Sequence, residues 1–383
     1  MNTNDFTDLK LFITGPTYIR PEVRQAGCLP EFGHRDSEAV KRFGSIFTNL
    51  ATLAGLPEDS DYKVAVINGS GTCAMETAVR SLAGPDDTVL SVSIGAFGDL
   101  FHKLAVLNGK RTEALHYEPG QAMDLASLER ALDEVKPSLV LLTHNETSTG
   151  VTNDVAAAVA LVHSRGALAA VDGVSIFGGA PLDLPTMQPD IYLTATQKSL
   201  GLPAGFGLAF AGPKAVAKAE TVPNKGWITD LTAHLGRAAK LQTLTTPNTS
   251  LANQMAVQLD YIINEEGMEK RFARHIAMRD RVHEFVNNLD GFELFAPEGY
   301  RSPTVTCVQV PEPLKTVQLK AIKETMRDKG YLFDPGYGKL NTAMEGAGKQ
   351  PVFRIGHMGD TSMAMVDAFL ATLGPVLKEA SAG

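Results

Sequence analysis

Cysteine and tryptophan are scarce in this 383-residue chain: three of the first, Cys28, Cys73 and Cys307, and one of the second. No two cysteines form a CxxC pair or stand at metal-ligand spacing, so three reduced thiols are expected and no disulfide framework. None of the nine histidines belongs to an HExxH pattern, which leaves no expected zinc site. Runs rich in Lys and Arg are missing too. With 35 basic against 43 acidic residues the formal charge is −8, so nucleic acid is not an expected partner. No apolar run approaches the ~20 residues of a membrane span. The opening stretch MNTNDFTDLK has no basic segment followed by an apolar one. The closing Ala380-Ser381-Ala382-Gly383 matches no retention or lipidation signal. These absences predict a cytoplasmic protein with no membrane partner.

What is present is an ordinary globular balance, 44% apolar and 20% charged. A chain of this length buries roughly three-quarters of its unfolded surface and needs no covalent staple. Short apolar runs read as buried strands at Lys63–Ile67, Val89–Ile94, Ser138–Leu142, Leu168–Val171, Ile191–Thr194 and Phe206–Phe210. Helical stretches at Cys73–Leu82, Ala126–Val135 and Val155–Ser164 separate several of them. Continuous apolar strands alternating with helices predict an α/β fold with a mostly parallel sheet covered on both faces. After about residue 250 the pattern changes. A charged helix is expected over Gly267–Asn288, with Phe272, Ile276, Val282, Phe285 and Val286 near one face. Strands at Thr304–Val310 and Val352–Ile355 and helices at Val317–Lys329 and Ser362–Leu373 follow, the last stopped by Gly374-Pro375. The expected division is an N-terminal arm over 1–20, a large α/β domain over 21–270, and a connecting helix with a smaller α+β domain over 271–383.

Three strand ends carry chemistry. Asn68-Gly69-Ser70-Gly71-Thr72 follows a strand and opens a helix, where glycines, free amides and hydroxyls suit a phosphate. The same residues also serve as plain strand-to-helix punctuation. Gly69, Gly71 and Ala74 fit a loose dinucleotide pattern, yet the next strand ends Ser93-Ile94-Gly95 without the acid that would hold a ribose. Val171-Asp172-Gly173 ends a strand with a carboxylate, either a ligand group or a turn cap. Thr196-Gln197-Lys198 follows another, with Gly201, Gly205 and Gly207 leaving room nearby. A lone Lys is usually a solvated side chain. A phosphate cradle, an acid and a Lys at three strand ends together supply what pyridoxal phosphate needs.

The order of segments resembles the class V aminotransferases of the fold type I pyridoxal-phosphate superfamily, which include alanine–glyoxylate, serine–pyruvate and phosphoserine aminotransferases. The markers are Thr14-Gly15-Pro16-Thr17, Gly69-Ser70-Gly71-Thr72, His144-Asn145-Glu146-Thr147-Ser148-Thr149-Gly150, Val171-Asp172, Thr196-Gln197-Lys198 and Phe353-Arg354-Ile355-Gly356-His357, spread over nearly the whole chain.

The resemblance implies roles residue by residue. Lys198 would hold the cofactor as a Schiff base and move the substrate's α-proton. Asp172 would keep the pyridine nitrogen protonated. Ser70, Gly71 and Thr72 would hold the phosphate with Gln197 as a further donor, and Thr147 the ring hydroxyl. Gly15 would lie where the arm passes close to the substrate. Phe97 stands where many relatives have a stacking Trp; otherwise it is a core Phe. Arg354 would bind the substrate carboxylate through paired hydrogen bonds, the other reading being a salt-bridged surface Arg. Thr245-Thr246-Pro247-Asn248-Thr249 resembles a segment that reaches the neighbouring subunit's phosphate, which implies a homodimer with shared sites. It is otherwise a polar turn before a helix.

The expected reaction is ping-pong transfer of an amino group from alanine or serine to glyoxylate or pyruvate. His34-Arg35 suits a substrate phosphate, as in phosphoserine aminotransferases, or ties a loop in small-substrate relatives. Phosphoserine:2-oxoglutarate transamination is therefore the alternative. A pyridoxal-phosphate-dependent lyase on the same scaffold is a further alternative; a cysteine desulfurase needs a nucleophilic loop cysteine, and Asp334–Gly348 has none. A non-catalytic binding protein is disfavoured by Lys198 with Asp172, and a nicotinamide oxidoreductase rests on the glycine turn alone.

Overall fold

In the computed structural model, which describes residues 8–382, all six expected apolar runs are strands of one sheet. Residues 1–7, within the expected arm and leaderless opening, and the terminal Gly383 lie outside the described residues. The sheet strands are β1 (Lys63–Gly69), β2 (Thr88–Ser93), β3 (Arg111–His116), β4 (Leu139–Thr143), β5 (Leu168–Asp172), β6 (Ile191–Ala195) and β7 (Gly205–Ala211). Their spatial order is β1-β7-β6-β5-β4-β2-β3. β7 runs antiparallel to both its neighbours, β1 and β6, and the other pairings are parallel. All strands but β7 therefore point the same way, and their C-terminal ends form one rim.

Side chains alternate across a strand, so each buried strand feeds two cores. Val140 and Leu142 join a core with Phe43, Ile46, Leu50 and Val159. Leu139 and Leu141 join one on the other face with Ala74, Ala78, Val79 and Phe101. This is the two-faced burial that the continuous apolar runs predict.

Several elements have no counterpart among the expected ones, and three of them bear on the site or the sheet. β3 is an edge strand that is largely exposed, and its polar start, Arg111-Thr112-Glu113, hides it from an apolar-run criterion. Ala96–Leu107 is a helix that begins at Gly95. Ser37–Leu53 is a helix capped by Asp36, whose carboxylate accepts the N–H groups of Glu38 and Ala39.

In the C-terminal part, Glu293–Leu294, Val305–Gln309 and Val352–Gly356 form an antiparallel three-stranded sheet. The strand Lys10–Leu11 pairs in parallel with Tyr331–Leu332, and Phe12 enters the same core as Val308, Phe353 and Phe369. Two expectations are corrected here. The final helix does not stop at Gly374-Pro375; it runs over Met363–Ala382 with Pro375 inside. Pro375 removes one helical hydrogen bond, but Leu373, Val376 and Leu377 are buried around it, and that packing carries the helix through. The helix Met268–Asn287 buries Arg271, His275, Met278, Val282 and Val286, so two polar residues stand on the face where Phe272 and Ile276 were expected.

Candidate active site

The rim formed by the strand C-termini gathers most of the predicted residues. Lys198 lies just beyond β6, in a turn where the Thr196 hydroxyl donates to the Pro203 carbonyl at 2.6 Å. Its side chain is buried against the N-terminal arm, and Nζ donates to the Thr14 carbonyl. Thr17 Oγ1 in turn donates to the Lys198 carbonyl at 3.1 Å. Gly15 is required between them: a Cβ there would lie 2.7 Å from both Cδ and Nζ of Lys198. Its φ of +120° is also one that L side chains rarely adopt. Nζ sits 5.9 Å from the centroid of the Phe97 ring. Burial, then the positive charge of Arg354, bring the Lys198 amine down to about 8.

Asp172 ends β5 and is buried. Its Oδ1 accepts the Val174 N–H at 2.9 Å. Burial pushes its carboxyl up to about 7, with Glu146 adding to the rise and Lys198 opposing it. The backbone beside it is packed on Tyr192: a Cβ on Gly173 would come within 1.9 Å of the Tyr192 Oη. That hydroxyl meets His144 Nδ1 at 2.9 Å, and burial lowers the imidazole to about 4, so His144 is neutral.

Phe97 is positioned by a buried acid. Glu146 Oε2 accepts the N–H groups of Phe97 at 2.9 Å and Gly98 at 3.2 Å, at the start of the helix Ala96–Leu107. Its other oxygen accepts from the Ser148 amide and hydroxyl. Helix N-termini favour a carboxylate, and this one sets where the Phe97 ring stands.

Ser70 precedes the helix Gly71–Leu82 and makes no capping hydrogen bond, so the amides at the helix start remain open to a ligand. A Cβ on Gly71 would meet Val174 Cγ2 at 2.7 Å, so only glycine fits beside the Asp172 turn. Gln197 Oε1 is buried with no protein partner. An open helix start, a buried acid and a lowered amine fit a phosphorylated, nitrogen-containing ring that carries an aldehyde.

Arg354 lies on the strand Val352–Gly356 and is buried. Its Nη1 donates to the Thr147 carbonyl at 3.1 Å, which joins two predicted site residues. Nη2 lies 3.0 Å from Asp334 Oδ2. Arg354 is thus salt-bridged, but inside the protein and not at its surface.

His34 and Arg35 stand against residues 242–246. Arg35 donates to the carbonyls of Thr243 at 2.8 Å and Leu244 at 2.9 Å and to Gln242 Oε1 at 3.0 Å. His34 Nε2 is 3.5 Å from Thr246 Oγ1. Asn68, just before the Gly69-Ser70 turn, donates to Thr245 Oγ1 and the Thr246 carbonyl, both at 2.7 Å. The 245–246 stretch is therefore tied to the residue before the Gly69-Ser70 turn of its own chain.

Sequence reasoning missed Thr14, His144, Glu146 and Tyr192 as site-building groups, and Asp334 as the partner of Arg354. The signal for Asp334 was the one that exposed Asp172, an acid directly after an apolar run, here Tyr331-Leu332-Phe333. Cys307 is buried and burial pushes its thiol up, which removes it as a nucleophile.

Comparison with known proteins agrees with this geometry. The family model for aminotransferase class-V matches residues 31–369. An uncharacterised aminotransferase of Methanocaldococcus jannaschii is 31% identical over 375 residues, covering 96% of this chain and 92% of that protein. The alanine–glyoxylate aminotransferase of Mus musculus is 31% identical over 309 residues, 78% of this chain and 72% of the relative. Among solved structures, an alanine–glyoxylate aminotransferase from Nostoc sp. superposes with a TM-score of 0.88 at 25% identity, covering 98% of this chain and 97% of that one.

Proposed function

The chain belongs to the class V aminotransferases, pyridoxal-phosphate-dependent transaminases, and from that premise we propose that it moves an amino group from alanine or serine to glyoxylate or pyruvate.

The reaction class follows from what the residues can do. Pyridoxal phosphate, when bound, supplies the electron sink for the substrate's α-carbanion. Lys198 is the group that anchors it and then carries the proton at the substrate Cα. Its lowered pKa leaves a fraction of the amine unprotonated near neutral pH, which both tasks require. Asp172, on a strand end and buried, stabilises positive charge at the ring nitrogen. Ser70, Gly71, Thr72 and Gln197 hold the phosphate, and Thr147 the ring hydroxyl. Phe97 covers a ring face, held by Glu146. Arg354 takes the substrate carboxylate, and Gly15 keeps the arm close to Lys198. The second half-reaction uses the same groups in reverse, with a 2-oxo acid entering where the first left.

The choice of a small substrate over phosphoserine rests on Arg35. Its guanidinium is engaged by three oxygens of residues 242–244, so it is a loop tie and not a free phosphate clamp. A homodimer is part of the same reading, because Ser70 and Thr72 are exposed at the mouth of the cradle on the single chain, beside Thr245 and Thr246. No helix among the described residues is long and apolar enough to cross a membrane.

A half-reaction screen tests the proposal. Alanine, serine, phosphoserine and glutamate are added separately to the cofactor-loaded enzyme. Loss of the cofactor's visible absorbance with alanine or serine, and not with phosphoserine, is the expected result. Loss with phosphoserine and glutamate alone would overturn the small-substrate reading.

A further inference from the structure

Arg354 does not hold its charge bare. Asp334 lies against Nη2, with Oδ2 at 3.0 Å and Oδ1 at 3.2 Å, and both residues are buried. Breaking a buried ion pair on one side leaves an uncompensated charge. A ligand that takes the guanidinium from Asp334 is therefore tolerated only if both groups keep other partners.

The surroundings meet that condition. Asp334 Oδ1 also accepts the Gly336 N–H at 3.0 Å, and Oδ2 accepts the Thr14 hydroxyl at 3.2 Å. Arg354 keeps the Thr147 carbonyl on Nη1, and its Nε is buried with no protein partner. The aspartate is thus held in place without the arginine. The arginine stays anchored without the aspartate through the Thr147 carbonyl and has an unused buried donor in Nε.

We propose that Asp334 is a resident carboxylate that competes with the substrate's carboxylate for Arg354 and so holds down the affinity of the pocket for amino and oxo acids. The inference rests on the reading of Arg354 as the substrate-carboxylate site. Asp334 is then a specificity-determining residue: a ligand must bring a carboxylate able to displace it, and an uncharged amine gains nothing from this corner.

Propionate is the probe, since it carries a carboxylate but neither an amino nor an oxo group. It is titrated by calorimetry into cofactor-loaded wild type, Asp334→Asn and Arg354→Ala. Asp334→Asn keeps one acceptor, its amide oxygen, for the Gly336 N–H and presents an NH2 donor to the Thr14 hydroxyl, while losing the charge. It is expected to bind propionate about tenfold more tightly than wild type, as close charge pairs are coupled by at least this factor. KM for the 2-oxo acid falls with it. Equal or weaker binding in Asp334→Asn, or no binding in either protein, overturns the inference. Arg354→Ala separates the two levels. If it binds propionate like wild type, the carboxylate-site reading itself fails. If it loses propionate while Asp334→Asn matches wild type, only the role of Asp334 fails. Asp334→Ser makes the same comparison if the asparagine variant does not fold.

Discussion

Removing the charge of Asp172 should make the cofactor-free protein less sensitive to alkali. Burial pushes the carboxyl up to about 7, whereas an aspartate in an unfolded chain titrates near ~3.9. Between those values the folded state holds a proton that the unfolded state has lost. Stability therefore falls as the pH rises through this window. Each unit of difference is worth about 1.4 kcal/mol. From pH 5 to pH 8 about two units of the window are crossed, so this one group should cost the wild type about 3 kcal/mol. Asp172→Asn carries no such cost. Urea unfolding of both proteins at the two pH values measures the quantity, because the fixed cost of the amide and the titration of groups not coupled to Asp172 cancel in the comparison. The asparagine variant should gain about 3 kcal/mol on the wild type between pH 5 and pH 8. A gap that is constant or that reverses would refute burial as the dominant influence on Asp172. A protonated pyridine nitrogen placed beside Asp172, as proposed above, would favour the carboxylate, and in the loaded enzyme the loss should then shrink or vanish.

Lys198→Ala should reduce turnover by at least roughly 10² to 10⁴-fold, read in a coupled transaminase assay. Because the wild-type amine is brought down to about 8, its unfolded state binds the extra proton above that value. The cofactor-free wild type should therefore gain stability as the pH rises from 8 towards 10, a gain absent from the alanine variant. Gly15→Ala places a Cβ against the Lys198 side chain and should lower kcat by roughly a hundredfold while the fold persists; turnover within twofold of wild type would remove the arm from the site. Arg35→Ala should lower stability by about 1 kcal/mol through its lost loop contacts. It should leave the ratio of alanine to phosphoserine reactivity unchanged in the half-reaction screen.

Elements that bury both faces were the easiest to read. Leu139–Thr143 and Ile191–Ala195 are buried throughout and apolar but for one threonine each, so no choice of register hides them. Arg111–His116 is the opposite case, an edge strand whose identity comes from pairing with Thr88–Ser93 and not from its own composition. Proline after glycine at 374–375 read as a stop because local propensity says so, and the buried face of the helix overruled it.

For the site, the sequence alone determined which chemical groups stand at strand ends: the glycine turn at 69–71, the acid at 172, the lysine at 198. These are local facts, since a strand's end and the turn after it are written in consecutive residues. The resemblance supplied the order that joins them. Partnership between distant residues is set by the fold. Arg354 meets Asp334 and Thr147 across 20 and 207 positions of chain, and Arg35 meets residues 242–244 across more than 200. Hydrogen bonds and ion pairs act over about 3 Å, and no spacing along the chain encodes which groups the fold brings within that reach.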